Sequence, residues 1–311
     1  MLSPVEYQDR YHAITVPSFD GQSDLATGIR VDRYRLGAQQ AFIDERYRLG
    51  QKIQKDLSIR QQENPQAGVE VNVHTPTGAH TNIFSSFSTS GDDQLWALIR
   101  YPYVGKGSPE SIQIALQLAA VDLPGSPPLV TPGRFQEYCD RWLGLDCNGL
   151  VGNYLRHEYA GIHWSDVTES DGIGSNDLIT EIWDKFEGEP RGGSSPINDS
   201  DLNLMAMVDQ QGKVIKGGAA PHGHIVISGP GERSTVFNLK DKLPGATDEG
   251  VPAICVVEST GAVADADGKS GLTRSFYACI ESQSQPGVFR CHRGLNGSLI
   301  SMRVKGAPWN P

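Results

Sequence analysis

The chain has few basic residues and no segment suited to anchoring it in a membrane. Its 27 Lys and Arg residues are outnumbered by 37 Asp and Glu residues, and this balance argues against a general nucleic-acid-binding protein. No stretch approaches the apolar length of a membrane span. Residues 1–7 lack the basic and apolar regions of a secretory signal peptide. We therefore expect a cytoplasmic protein, a mature fragment, or a protein exported by a route that needs no cleavable signal.

Cysteine is also scarce. The five cysteines are irregularly spaced, and no two of them form a Cys-x-x-Cys motif. The sequence therefore supports neither a zinc ribbon nor a thioredoxin-like redox motif. Cys255 and Cys279 lie in apolar, strand-like runs and are expected in the core. A disulfide among Cys255, Cys279 and Cys291 is left open. His74 and His80 stand in polar loop sequence, where histidines are usually solvated, and we expect neither a metal nor a cofactor.

Helical patterns come first along the chain and strand patterns follow. We predict one charged helix or two at 31–62, further helices at 108–121, 134–142 and 176–186, a short strand at 69–73, and irregular structure over 1–30. From residue 202 onward, short apolar runs separated by turn residues predict strands at Leu204–Val208, Ile225–Ser228, Ile254–Glu258, Ser275–Glu281 and Leu299–Val304. Helices followed by an antiparallel sheet indicate an α+β fold.

A proline-rich segment suggests where the chain divides. Pro124, Pro127, Pro128 and Pro132 fall within nine residues, a composition typical of a linker or of an arm that wraps around a domain. We predict an N-terminal accessory region at 1–124, whose role the sequence does not reveal, and a second domain at 125–311.

The sequence around Cys147 favours a reactive cysteine. Apolar residues follow it at helical spacing, and the preceding Asp146 is a good N-cap, so Cys147 takes the first position of a helix. The unpaired N–H groups and partial positive charge of a helix start stabilise a thiolate and later an oxyanion. The alternative is a buried cysteine that only packs, which is the commoner role of a free cysteine.

His224 is the predicted base for this thiol. It opens an apolar strand in the run Pro221-His222-Gly223-His224-Ile225, and a histidine there can face the cysteine helix. The His222/His224 pair could also bind a metal, but the sequence supplies no recognisable third ligand. A third group should orient the imidazole. Glu258, at the end of an apolar strand, is the first candidate and Asn238 the second.

These residues resemble a known family. Asp146-Cys147-Asn148-Gly149-Leu150-Val151, followed by Gly223-His224-Ile225-Val226-Ile227, is similar to the NlpC/P60 peptidases and the related CHAP amidases. The resemblance covers roughly residues 134–282. The family's Tyr and Trp-Gly-Gly segment is matched only in part, by Tyr138 and Trp142-Leu143-Gly144.

The resemblance implies a papain-like fold with Cys147 as nucleophile, His224 as base, and Glu258 or Asn238 as the third polar residue. It implies a cysteine hydrolase that cleaves amide bonds in bacterial cell-wall peptides, working as a recycling enzyme, a phage-type lysin or an antibacterial toxin. A toxin would have an inhibitor or immunity protein as partner. The alternatives are a related hydrolase or acyltransferase acting on another acyl or isopeptide substrate, and a non-catalytic binding protein in which Cys147 is structural.

Overall fold

The protein is described from a computed structural model, which covers residues 2–18, 23–35, 40–63, 72–74, 80–82, 101–120, 129, 131–158, 178–216, 223–230, 235–261, 270–294 and 297–309. The chain divides into two compact units. One comprises Met1–Gln8 and Asp146–Pro311, and the other comprises Asp9–Leu145. The boundary predicted near residue 124 falls in 121–128, outside the described residues, and stays a prediction.

The first elements of the chain are helices and short antiparallel pairs. They are α1 (Pro4–Tyr11), β1 (Ile14–Pro17), β2 (Asp24–Ile29), α2 (Gln40–Glu63), β3 (Asn72–His74), β4 (His80–Asn82), a 3₁₀ turn (Tyr101–Val104), α3 (Pro109–Ala119) and α4 (Pro132–Trp142). Strand β1 pairs with β2, and β3 pairs with β4. The helices predicted at 108–121 and 134–142 are confirmed as α3 and α4. Each begins with a proline behind a hydroxyl N-cap, Ser108 and Thr131 respectively.

Two predictions for this part of the chain were wrong. Residues 1–30 are not irregular, because Ser3 and Glu6 form a reciprocal capping box that starts α1: Ser3 N–H donates to the Glu6 carboxylate at 2.7 Å. The helix predicted from residue 31 begins only at Gln40. Ahead of it, Tyr34 forms a strand-like bridge with Leu145, and the Arg35 N–H donates to the Leu145 carbonyl at 2.9 Å.

The remaining elements form the unit that carries all three predicted site residues. They are α5 (Cys147–Glu158), α6 (Leu178–Lys185), β5 (Glu189–Pro190), β6 (Leu202–Met207), β7 (Ile225–Ser228), β8 (Thr235–Phe237), β9 (Val251–Thr260), β10 (Gly271–Glu281), β11 (Val288–Arg293) and β12 (Leu299–Ala307). All five strands predicted after residue 202 are present. Strand β11 was not predicted. Its three charged or ionisable side chains, Arg290, His292 and Arg293, hide the apolar pattern.

Six of these strands form one closed antiparallel sheet. Their order is β10–β11–β12–β6–β7–β9, and the sheet closes because β9 also pairs with β10. The enclosed space is filled by apolar side chains, which are Met205, Val226, Ile254, Val256, Tyr277, Phe289, Cys291, Met302 and Val304. Helix α5 packs against β7 and β9. The predicted α+β class is therefore confirmed. Within the described residues, no helix has the length and apolarity needed to cross a membrane.

Candidate active site

Cys147 is the first residue of α5, as predicted. The Asp146 carboxylate accepts a hydrogen bond from the Gly149 N–H at 2.7 Å, and the Asp146 carbonyl accepts from Leu150 at 3.1 Å. This is the geometry of an N-cap. The N–H groups of Cys147 and Asn148 come before these bonds, in the turn where helical amides lack intrahelical acceptors. The thiol is therefore held where donors are available to an anion, and Cys147 is only 4 % exposed.

Gly223 allows the chain to place His224 at the start of β7. A Cβ atom on Gly223 would lie 2.6 Å from the Ile215 carbonyl oxygen and 2.9 Å from that of Lys216, which is too close for any side chain. The His224 carbonyl accepts a hydrogen bond from the Met207 N–H at 2.9 Å, so the residue continues the β6–β7 ladder. The imidazole therefore starts from rigid backbone rather than from a loose loop.

Glu258 binds His224 directly. The carboxylate oxygen Oε2 lies 2.8 Å from the imidazole Nε2. Because an ionised carboxylate can only accept, Nε2 carries the hydrogen, and Nδ1 is the nitrogen left for the thiol. The other sequence candidate, Asn238, is exposed and its side-chain oxygen accepts the Lys240 N–H at 3.4 Å instead. Of the two orienting residues considered, the structure brings Glu258 to His224.

Electrostatic interactions among the three side chains shift the pKa values of His224 and Glu258. Burial disfavours the charged imidazolium, but hydrogen bonding to Cys147 and Glu258, together with their negative charges, outweighs burial and raises the pKa of His224 to about 9. Burial also disfavours the Glu258 carboxylate. The hydrogen bond and charge of His224, the charge of Arg293 and a hydrogen bond from Ser275 reverse this effect, so the pKa of Glu258 falls to about 2. The arrangement therefore favours a protonated His224 ring beside an anionic Glu258.

Besides Ser275, sequence reasoning missed two further side chains at this carboxylate. The Tyr277 hydroxyl donates to Glu258 Oε2 at 2.9 Å, and the Arg293 guanidinium donates to the same oxygen at 2.7 Å. Tyr277 and Arg293 are directly opposite each other in the β10–β11 register. The only sequence signal was a tyrosine and an arginine at alternate, inward positions of two strands, and one of those strands had not been recognised.

These polar groups share one end of the closed sheet. Because side chains alternate along a strand, Glu258 points to the same side as Val256, Arg293 to the same side as Cys291, and His224 to the same side as Val226. Those apolar partners fill the enclosed core. The sheet therefore has an apolar interior that ends in a layer of charged and hydrogen-bonding groups at the level of His224 and Glu258.

The remaining sequence candidates lie elsewhere. His222 is outside the described residues. His74 and His80 are opposite each other in the β3–β4 pair, and their side chains are not described. Tyr138 donates to Glu45 at 3.0 Å and its hydroxyl lies 2.6 Å from that of Tyr103. In the part of the chain that the structure describes, no three His, Cys, Asp or Glu residues group as metal ligands.

One disulfide is present. It joins Cys279 to Cys291, which face each other across β10 and β11, and this resolves the alternatives left open by the sequence. Cys139, Cys147 and Cys255 are buried and form no disulfide. Cys147 therefore keeps its thiol and is not part of a disulfide.

Comparison of the chain with models of protein families, with curated proteins and with solved structures found no match.

Proposed function

We propose that this chain is a cysteine hydrolase with a papain-like catalytic domain, and that it cleaves amide bonds in bacterial cell-wall peptides. The observation that carries the proposal is the geometry at His224. One nitrogen of its ring is bound to a buried carboxylate, and its thiol partner starts a capped helix. Structural cysteines need neither feature. The likeness of the Asp146–Val151 and Gly223–Ile227 sequences to NlpC/P60 peptidases supports the substrate class.

The chemistry follows from these positions. His224 takes the thiol proton through Nδ1, and the Cys147 thiolate attacks the carbonyl carbon of the scissile amide. The backbone N–H of Cys147 donates to the oxyanion that forms. Collapse of this intermediate breaks the C–N bond, and the imidazolium returns its proton to the departing amine. Water, deprotonated by His224, then attacks the thioester and releases the acid and the free thiol. Glu258 keeps the imidazole in the tautomer that this sequence requires.

The disulfide supports a site of action outside a reducing cytoplasm. Disulfides persist in oxidising compartments and are rare where thiols are kept reduced. The cell wall lies in such a compartment, so the Cys279–Cys291 bond agrees with a wall-peptide substrate.

The test is digestion of purified peptidoglycan by the wild type, Cys147→Ser and Cys139→Ser, with the released fragments identified by mass. Cys147→Ser should release nothing and keep the wild-type melting temperature, because serine suits a helix start but its hydroxyl stays protonated where the thiol ionises. Cys139→Ser is the matched control. Cys139 is a free, buried cysteine whose pKa is raised by burial, and its replacement should leave turnover unchanged.

The other outcomes of this digestion separate the cysteine mechanism from the substrate assignment. Activity in Cys147→Ser would contradict the cysteine mechanism. Inactivity of the wild type on peptidoglycan, combined with cleavage of another acyl or isopeptide substrate that depends on Cys147, would retain the mechanism and reject the wall-peptide substrate.

A further inference from the structure

Two buried side chains that the mechanism above does not use contact the same carboxylate oxygen as His224. We propose that Arg293, assisted by Tyr277, is a positioning residue of the cysteine site: it fixes Glu258 as an anion and so sets the pH range in which Cys147 and His224 react. This inference rests on the proposed function, and it adds a fourth residue to the predicted three.

The geometry makes Glu258 a shared anion. Its Oε2 accepts hydrogen bonds from three donors, which are His224, Tyr277 and Arg293, at distances of 2.7–2.9 Å. The Glu258 side chain is fully buried and that of Arg293 is 6 % exposed. The guanidinium carbon also lies 5.8 Å from the centre of the Tyr277 ring. If the Arg293 side chain adopted a rotamer that pointed away, the carboxylate would remain inside the sheet and would lose this countercharge.

Stability alone does not account for this pair. Removing two charges from water costs several kcal/mol per ion, and well-packed apolar residues in their place are often neutral or stabilising. The rest of the enclosed space is filled with apolar side chains, so such a replacement would suit this interior. The pair instead stands beside His224, which points to a role at the site.

Arg293 supplies what His224 needs from its partner. With His224 as its only cation, Glu258 could take the imidazolium proton and both groups would become neutral. The guanidinium does not release its proton in proteins, so it keeps the negative charge on Glu258. The charges then alternate from Arg293 through Glu258 and His224 to Cys147, and each is balanced by its neighbour.

Among the described residues, ionisable groups from several elements meet near Arg293 at this end of the sheet. Glu258 on β9, Tyr277 on β10 and His224 ahead of β7 share its side, and Cys147 on α5 contacts His224. Arg274 on β10 and His292 on β11 belong to the opposite face, because side chains alternate along a strand. Arg274 donates to Gln8 at 3.0 Å, and His292 contacts the Gly294 carbonyl at 2.6 Å.

The sign of the effect follows from removing one cation. Without Arg293, Glu258 takes up the imidazolium proton, so His224 loses its charge at lower pH and no longer favours the thiolate of Cys147. In Arg293→Gln the acid inflection of the Cys147 reactivity profile should therefore move to higher pH and the alkaline inflection to lower pH, each on the order of one unit. Arg293→Lys keeps the charge and should restore the wild-type inflections.

The experiment measures the rate of Cys147 alkylation by iodoacetamide against pH, with the modified cysteine located by mass spectrometry. It needs no peptide substrate. Arg293→Gln should be alkylated about tenfold more slowly than the wild type below the acid inflection. Arg293→Met fills the same space with apolar atoms and should behave alike, so it carries the test if the Gln variant does not fold. Arg303→Gln is the matched control, because Arg303 lies on β12 between the inward-facing Met302 and Val304 and donates to the Gly212 carbonyl.

Superimposable profiles for the wild type, the neutral Arg293 variant and Arg303→Gln would overturn the inference, and Arg293 would then be a structural ion pair. That result would leave the proposed function intact if peptidoglycan is still cleaved. A shifted profile that Arg293→Lys restores would support the inference even if the wild type cleaves no wall peptide, in which case the substrate assignment alone fails.

Discussion

At the scale of single residues, the site depends on which protons three buried groups hold. His224 stands between the Cys147 thiol, whose proton it takes, and the Glu258 carboxylate, which has no proton to give because the pKa of Glu258 is lowered to about 2. The charge on Glu258 is therefore constant over the working range of pH. The proton that moves during the reaction passes between Cys147 and His224.

The pH dependence of hydrolysis should report this pair. The raised pKa of His224 places loss of the imidazolium, and with it the alkaline fall in kcat/KM, near pH 9. Glu258→Gln keeps an acceptor for Nε2 but removes the anion, so the alkaline limb should move to lower pH. The measurement is kcat/KM against pH for both proteins. An unmoved limb in Glu258→Gln would show that the carboxylate charge does not act on His224.

The size of the loss distinguishes an orienting residue from the nucleophile. Glu258→Ala should lower kcat/KM less than Cys147→Ser does, because the residue that orients the histidine of a triad contributes less than the nucleophile. The fold-loss in Glu258→Ala should be smaller by a factor of about ten or more. Single-turnover rates at one pH would measure both losses. Equal losses, with both variants folded, would mean that Glu258 takes part in the chemistry more directly than the geometry indicates.

Gly223 is expected to be required for the position of His224 and much less for folding in general. Gly223→Ala places a methyl group against two backbone carbonyls, which should cost about 1–3 kcal/mol of unfolding free energy and displace the imidazole. Hydrolysis should therefore fall far more than stability. Gly133→Ala is the control, since nothing lies within 4 Å of its added Cβ atom. Equal activity of Gly223→Ala and Gly133→Ala would contradict this role.

At the scale of elements, the site is carried by one helix and by strands that hold one another in register. Helix α5 brings the thiol, the residue just before β7 is the histidine, β9 brings the carboxylate, and β10 and β11 bring its tyrosine and arginine. The pairing of β9 with β10 closes the sheet and brings Tyr277 to Glu258. A shift of one residue in either pairing would turn these side chains to the other face.

The disulfide strengthens the β10–β11 pair that carries Tyr277 and Arg293. Its two cysteines are 12 residues apart, so the double variant Cys279→Ala/Cys291→Ala should lose about 2–3 kcal/mol of unfolding free energy, since the loop it closes is short. Urea unfolding of both proteins measures this difference. Using the double variant avoids a reductant, which would also react with Cys147. Unchanged stability would show that strand pairing and core packing hold the two strands without the bond.

At the scale of the whole molecule, local signals predicted most of the elements. The α+β class, α3, α4 and the long apolar strands follow from caps and from hydrophobic periodicity, which act within a few residues. The same is true of Cys147 at a helix start, because Asp146 alone supplies the cap. The Ser3–Glu6 capping box that starts α1 was equally readable from the sequence and was overlooked.

What the sequence could not reveal depends on contacts between distant strands. The closure of the sheet, the choice of Glu258 over Asn238 and the meeting of Arg293 with Glu258 are set by register, which no local pattern encodes. Strand β11 illustrates the difficulty. Its Arg293 looks like a solvated charge in the sequence but is buried as a countercharge in the fold.

The most direct test of the account is the relative reactivity, in the folded protein, of the three cysteines that form no disulfide. All three are buried, so exposure alone would not favour Cys147. The account predicts that a limiting amount of iodoacetamide at neutral pH modifies Cys147 well before Cys139 and Cys255, and that His224→Gln abolishes this preference. Modification of Cys147 no faster than of the other two, in a protein shown to be folded, would contradict the claim that Cys147 is a nucleophile.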